Sequence, residues 1–220
     1  MQQRLWTGLL GLLVAVLLSV TLHTPSRAQT ITVLALGDSL TAGYGLPRRD
    51  GFVPQMQAWL DQAGEAATII NGGVSGNTTR NGLARADRLL TADVDAMILA
   101  LGGNDYLRGI NPAVTRNNLD QILTLAAARD VPVLLVGIRA GDLHGTRYQT
   151  AFNDMYRGLA AEYRVPLVPT FYQGLLDAAG TQDRVRGYLQ RDALHPNAEG
   201  VREIVDFLGP KMQTLIASAR

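Results

Sequence analysis

The chain has 220 residues, a formal net charge of +1, and a composition of 47% hydrophobic and 18% charged residues. That balance is ordinary for a globular protein and excludes intrinsic disorder as its main state, and the near-neutral charge gives no footing for nucleic-acid binding. It contains no cysteine, which excludes disulfides, thiolate nucleophiles, cysteine-ligated zinc, iron–sulfur clusters and a lipidated N-terminal cysteine.

Arg4 is followed by an apolar run over residues 9–18, extended by Val20 and Leu22 and then by Thr24-Pro25-Ser26-Arg27-Ala28. A short basic head, an apolar middle and small residues at Ser26 and Ala28 read as a signal peptide cut after Ala28. The alternative is a retained membrane anchor, for which residues 5–22 are marginal: the hydrocarbon is about 30 Å thick and a helix rises about 1.5 Å per residue. Residues 1–28 are therefore expected to be removed. Residues 29–220 are expected to be exported, periplasmic or secreted, and to form one domain with a single core.

The exported part alternates short apolar runs with helical patterns. Residues 31–36 (ITVLAL) break at Gly37, and a weaker run, residues 68–71 (TIIN), ends at Gly72-Gly73. Residues 96–101 (AMILAL) end at Gly102-Gly103, 131–136 (VPVLLV) at Gly137, and 165–168 (VPLV) at Pro169. Runs of this kind fit strands buried on both faces of a parallel sheet. Helical patterns are expected over residues 52–63, 112–128 (with Asn111 as N-cap and Pro112 in the first turn), 150–163 and 198–217. The alternation predicts right-handed βαβ units and an α/β sandwich. In such sheets ligands sit beyond the carboxyl ends of the strands. The residues to inspect are thus Gly37-Asp38-Ser39, Gly72 to Asn77, and Gly102-Gly103-Asn104-Asp105.

The candidates for chemistry are few. Beyond residue 28 there are two histidines, His144 and His195, and three serines, Ser39, Ser75 and Ser218. Histidine-ligated metal needs more ligands at closer spacing. Ser39, at a strand end before a helix, can expose its hydroxyl beside free backbone N–H groups, or can simply cap that helix. His195 follows Asp192 by three residues, so a carboxylate can fix its tautomer and steady the imidazolium. Pro196 pushes it out of the helical basin. Alternatively, Asp192 and His195 are a surface pair capping the helix near Ala198. His144 reads as an exposed loop residue, structural or beside the substrate. The Asn104 amide could donate to an oxyanion or satisfy a turn, and Gly76 could offer its N–H or supply a positive φ. Ser75 ranks below Ser39 as a nucleophile. No phosphate-binding Gly-rich loop ends in lysine, since Lys211 is the only lysine, and no Gly-x-Ser-x-Gly elbow surrounds Ser39.

Four blocks, taken in order, resemble the SGNH, or GDSL, hydrolase family: Gly37-Asp38-Ser39-Leu40; Gly73 to Thr78 (GVSGNT); Gly102-Gly103-Asn104-Asp105; and Asp192-Ala193-Leu194-His195-Pro196. Further likeness to its small secreted bacterial arylesterases, thioesterases and lysophospholipases lies in Ala42-Gly43-Tyr44, Gly82-Leu83-Ala84-Arg85 and Gly103 to Gly109 (GNDYLRG). The resemblance implies a flavodoxin-like three-layer α/β/α sandwich with a mainly parallel five-stranded sheet. It implies Ser39 as nucleophile, His195 as base and then acid, and Asp192 orienting His195. The oxyanion hole would come from the Ser39 and Gly76 N–H groups and the Asn104 amide. No cofactor or metal is needed. The expected partner is a small-molecule ester, met by a monomer with no nucleic acid and no stable membrane insertion after signal cleavage. The expected activity is hydrolysis of aryl and short-to-medium acyl esters through an acyl-enzyme, with lysophospholipids and thioesters as further candidates. Small residues at Ala140-Gly141 leave less apolar wall for long acyl chains. A carbohydrate O-acetylesterase and a non-catalytic binding module are the alternatives. Few aromatics remain for sugar stacking, and binding alone needs no Ser39–Asp192–His195 set.

Overall fold

The computed structural model describes residues 30–220; the expected signal segment, residues 1–28, lies outside the described residues. Five strands, β1 (Ile31–Gly37), β2 (Ala67–Gly73), β3 (Ala96–Ala100), β4 (Val133–Val136) and β5 (Leu167–Val168), form one all-parallel sheet in the order β2-β1-β3-β4-β5. Around it in chain order run α1 (Ser39–Ala42), α2 (Phe52–Gln62), α3 (Thr79–Leu89), α4 (Gly103–Leu107), α5 (Pro112–Ala127), α6 (Thr146–Tyr163), α7 (Gln173–Ala179), α8 (Gln182–Val185) and α9 (Ala198–Ser218). On one side α2 and α7 pack on α9; on the other α3 packs on α5 and α5 on α6. This is the three-layer α/β/α sandwich expected.

The central strands β1, β3 and β4 are buried along almost their whole length, as their continuous apolar runs require when helices cover both faces. β2 is an edge strand. Its exposure alternates, with Ala67 and Ile69 inward and Thr68 and Ile70 outward, which is why its apolar signal is weak although the strand is seven residues long. Gly37 pairs with Gly73 on one side and Ala100 on the other. Three strand ends therefore stop at one level, and their following turns meet there. Gly73 must be glycine for a steric reason: a Cβ there would lie 2.4 Å from the Ala42 backbone nitrogen of α1.

The start of α5 is as expected, with the Asn111 side chain accepting from the Ala113 N–H and Pro112 following it. The fourth expected helix is α9, and its cap is Asn197, which accepts from the Gly200 N–H. One expected boundary needs correction, and α3 lies outside the expected helices. α6 starts at Thr146 rather than at 150, behind Gly145 at φ 82°. α3 was not anticipated, because only Thr79, Gly82 and Ala86 are buried on it and Arg80, Asp87 and Arg88 face solvent. Its visible signal is a capping box: Thr78 accepts from the Asn81 N–H, and the Asn81 side chain accepts from the Thr78 N–H.

Candidate active site

β1 delivers Asp38 and Ser39 to the carboxyl edge of the sheet. Asp38 is the N-cap of α1, accepting from the Leu40 N–H at 3.0 Å. Ser39 is the first helical residue, so it is not the cap and its hydroxyl is free to face outward. That hydroxyl donates to His195 Nε2 at 2.8 Å. Ser75 lies on the same cavity wall but is exposed, and the imidazole faces Ser39 instead.

His195 is held from its other side. Its Nδ1–H donates to Asp192 Oδ2 at 2.7 Å, and Asp192 Oδ1 accepts the Leu194 and His195 N–H groups at 3.0 Å each. The His195 hydrogen bond first, and then the Leu194 N–H, hold this carboxyl down to about 2, so it is a carboxylate throughout the working range. The turn is tight enough to put Ala193 at φ 58°, a left-handed conformation uncommon outside glycine. Gln190 braces it, donating to the Tyr44 and Pro196 carbonyls at 2.8 and 2.9 Å. The Tyr44 ring lies 4.6 Å from the imidazole, and the Tyr172 hydroxyl donates to the Leu194 carbonyl at 3.0 Å. Asp192 and His195 thus do not cap α9; they serve the imidazole.

Gly76 and Asn104, expected as oxyanion donors, line the same cavity as Ser39 and His195. Gly76 has φ 80°, a conformation glycine adopts without the Cβ penalty. The Asn104 Nδ2 donates to the Asn77 carbonyl at 3.0 Å. An amide carries two N–H bonds, so one ties Asn104 to the Gly76 turn and the other is available to a ligand. The bond to Asn77 is the turn-satisfying contact expected of Asn104, and it leaves one N–H for the other expected part. The helix that carries it is anchored by Asp105, fully buried, which accepts from the Thr79 N–H at 2.8 Å and from the Thr79 and Thr115 hydroxyls at 2.6 and 3.2 Å.

Arg85 of α3 is the residue whose part sequence reasoning missed. Its guanidinium donates to the Gly72 carbonyl, to the Gly37 carbonyl at 2.7 Å and to Asn77 Oδ1 at 2.9 Å. One side chain therefore joins the end of β1, the end of β2 and the Gly76 turn. Burial, followed by the neighbouring Arg88, lowers its pKa. The only sequence signal was its place in the Gly82-Leu83-Ala84-Arg85 likeness, which carries no role by itself. Arg108 adds a bond from outside, donating to the Gly76 carbonyl at 3.0 Å.

Asp38 is 2% exposed. Burial pushes its carboxyl up to about 6, against the lowering effects of the Leu40 N–H and of nearby His195. His144 is exposed, as expected, and donates from Nε2 to the Tyr106 carbonyl at 2.7 Å beside the Tyr106 and Tyr148 rings. It lies against the α4–α6 side of the cleft and does not meet Ser39.

Ser39 and His195 open into a cavity of about 970 Å³ whose walls include Tyr44, Gly76, Asn104, Tyr106, Ala140 and Leu194. Among the described residues, no group of three His, Asp or Glu side chains is placed to hold a metal ion. What the arrangement offers is a serine hydroxyl with its proton already directed at a base and the base oriented by a carboxylate, with Gly76 and Asn104 on the walls of the same cavity. That combination suits acyl transfer.

The sequence pattern of the family described as the GDSL-like lipase/acylhydrolase family matches residues 35–203. Esterase TesA of Pseudomonas aeruginosa is 34% identical over 191 residues, 86% of this chain and 92% of that protein. Thioesterase 1/protease 1/lysophospholipase L1 of Escherichia coli K12 is 34% identical over 200 residues, 90% of this chain and 91% of that one. The crystal structure of AlinE4, an SGNH-hydrolase family esterase, superposes with a TM-score of 0.69 at 38% identity, covering 86% of this chain and 98% of that one.

Proposed function

From a chain that belongs to the GDSL-like lipase/acylhydrolase family and is a serine esterase, we propose the following assignment of its chemistry. Ser39 is the nucleophile, His195 the general base and then acid, and Asp192 the residue that orients His195. The Ser39 and Gly76 N–H groups and Asn104 Nδ2 form the oxyanion hole. The observation that carries this is the relay from Ser39 Oγ to His195 Nε2 at 2.8 Å and from His195 Nδ1 to Asp192 Oδ2 at 2.7 Å, set in the wall of the cavity.

Ser39 Oγ attacks the ester carbonyl carbon while His195 Nε2 takes the hydroxyl proton. The carbonyl electrons move to the oxygen, which the three donors hold. The tetrahedral intermediate collapses as the bond from carbon to the alcohol oxygen breaks, and that oxygen takes the proton from Nε2. Water then enters, gives its proton to Nε2, and releases the acid from Ser39 by the same steps. Preorganised donors are the larger part of such catalysis, about 2.7–4 kcal/mol for a single one.

The substrates are small-molecule carboxylic esters. Within that class, the apolar and tyrosine-lined cavity supports aryl and short-to-medium acyl esters. The carbohydrate-deacetylase alternative is not favoured, since the named relatives are esterases and a thioesterase/lysophospholipase. All the proposed groups lie on one chain, which supports a monomer as the working unit. Among the described residues no helix is long and apolar enough to cross a membrane. Export with removal of residues 1–28, leaving residues 29–220 as one domain in the periplasm or outside the cell, is the reading their composition supports. N-terminal sequencing of the exported protein tests it.

The test of the chemistry is initial rates on p-nitrophenyl esters from acetate to long acyl chains, with wild type and Ser39→Ala side by side. Loss of activity by about four orders of magnitude in the variant is expected. Equal rates in both would remove Ser39 as the nucleophile.

A further inference from the structure

The cavity at Ser39 is larger than the reacting atoms need, and it straddles the carboxyl edge of the sheet. On the α6 side its wall is built on α4: Tyr106 sits among the rings of Tyr148 and Phe152, and Leu107 and Ala140 line the cavity beside it. On the α9 side the wall is Tyr172, Leu176, Val185, Leu189 and Leu194. These come from α7, α8 and the turn that carries His195, and α7 rests on α9 while α8 rests on α7. Ser39 lies between the two walls.

Chemistry distinguishes them. In the step that forms the acyl-enzyme, the leaving oxygen must receive its proton from His195 Nε2, so the alcohol part of the ester lies on the imidazole's side. The carbonyl oxygen must lie on the other side, at Gly76 and Asn104. The imidazole is flanked by Tyr44 and by the segment reaching Leu194, and its turn runs directly into α9. The wall beyond it is apolar: Leu176, Val185 and Leu189 are half-buried and Leu194 is 38% exposed, so they present unpartnered surface to the cavity.

We infer that Leu176, Val185, Leu189 and Leu194, with Tyr172, form a subsite for the alcohol moiety, shaped for an aryl or alkyl alcohol, while the acyl group lies along the Tyr106–Leu107 wall. This rests on the assignment of Ser39 and His195 as nucleophile and proton donor. The enzyme then selects its esters on both sides of the scissile bond, through two separate walls. Each buried methylene of the alcohol raises kcat/KM by about two- to fourfold until the wall is filled.

Two ester series separate the walls: alkyl acetates from methyl to octyl, and methyl alkanoates from acetate to octanoate, followed by acid release at constant pH. In wild type both series rise. Val185→Trp, which fills the α8 wall, flattens the acetate series and leaves the slope of the alkanoate series in place; Val185→Ser, which only removes apolar surface, does the same more weakly. Leu107→Ala does the reverse. Thermal melts of the three variants confirm that each is folded. A Val185 substitution that flattens the alkanoate series instead, or neither series, overturns the inference. A wild-type protein inert on every ester removes the acyl-transfer assignment, and the subsite with it.

Discussion

The two halves of the site are built from different material. Ser39, Gly76 and Asn104, the proposed nucleophile and oxyanion donors, stand at the ends of β1, β2 and β3, directly above a closed core and cross-linked by Arg85, Asn104 and Asp105. The Asp192–His195 turn is external: Asp192 is 39% exposed, and the turn is held by its own carboxylate, by Gln190 and by Tyr44 and Tyr172. On the strand side, the contacts that make the fold also make the site. On the loop side, the contacts serve the imidazole and little else. Substitutions on the strand side should therefore cost activity and stability together, and those on the loop side activity alone.

The largest effect sharpens the loop half. Asp192→Asn keeps an oxygen for the Leu194 and His195 N–H groups but turns an N–H toward His195 Nδ1, which reverses the tautomer and takes away the lone pair facing Ser39. kcat should fall by about 10²–10⁴-fold. The melting temperature should move by no more than about 2–4 °C, the equivalent of about 1 kcal/mol at this size. A large loss of thermal stability would break the distinction between the two halves.

On the strand side, Arg85→Met removes three donated hydrogen bonds from a charged group and should cost about 2–4 kcal/mol, since each charged bond is worth about 1.5–3 and they are not additive. The same change should lower kcat by about 10- to 100-fold with KM nearly unchanged, because the donors it holds act on the transition state rather than on bound ester. Arg85→Lys keeps the charge without the fork and should fall between. A rise in KM at constant kcat would mean that Arg85 shapes the cavity and not the oxyanion hole.

The smallest effect concerns Asp38. Its folded value of about 6 lies above the ordinary 3.8. Between those two values the folded state holds a proton that the unfolded chain has released, so this group makes stability fall as pH rises from about 4 to 6 and leaves it lower above. Asp38→Asn preserves an acceptor for the Leu40 N–H and should stabilise the protein at pH 7–8 by an amount on the order of 1–3 kcal/mol. It should also flatten the pH dependence of the melting temperature between 4 and 6. Removing the Asp38 charge from its electrostatic contact with His195 should drop kcat a few-fold. Lower stability at pH 8 would show that the charge on Asp38 is needed to hold α1.

The two halves were also unequally legible. β1 and β3 announced themselves through unbroken apolar runs ending at glycine, which put Ser39 and Asn104 at strand ends; the parts expected of them were decided only by the family resemblance. The Asp192–His195 spacing showed that the two could meet, but not that Asn197 would take over the capping of α9. α3 escaped because its buried face is small residues, Thr79, Gly82 and Ala86, rather than a stripe of leucines.

What the amino-acid sequence determined by itself was local: alternating strand and helix, glycine where the backbone turns, and a short inventory of serine and histidine. Those follow from periodicity, steric freedom and composition, which act over a few residues. The tertiary structure decided everything that joins distant segments. His195 reaches Ser39 across 156 positions. Arg85 binds two strand ends and a turn, and burial rather than identity moves the Asp38 proton. Hydrogen bonding and desolvation depend on what the fold brings near, and no window of sequence contains that.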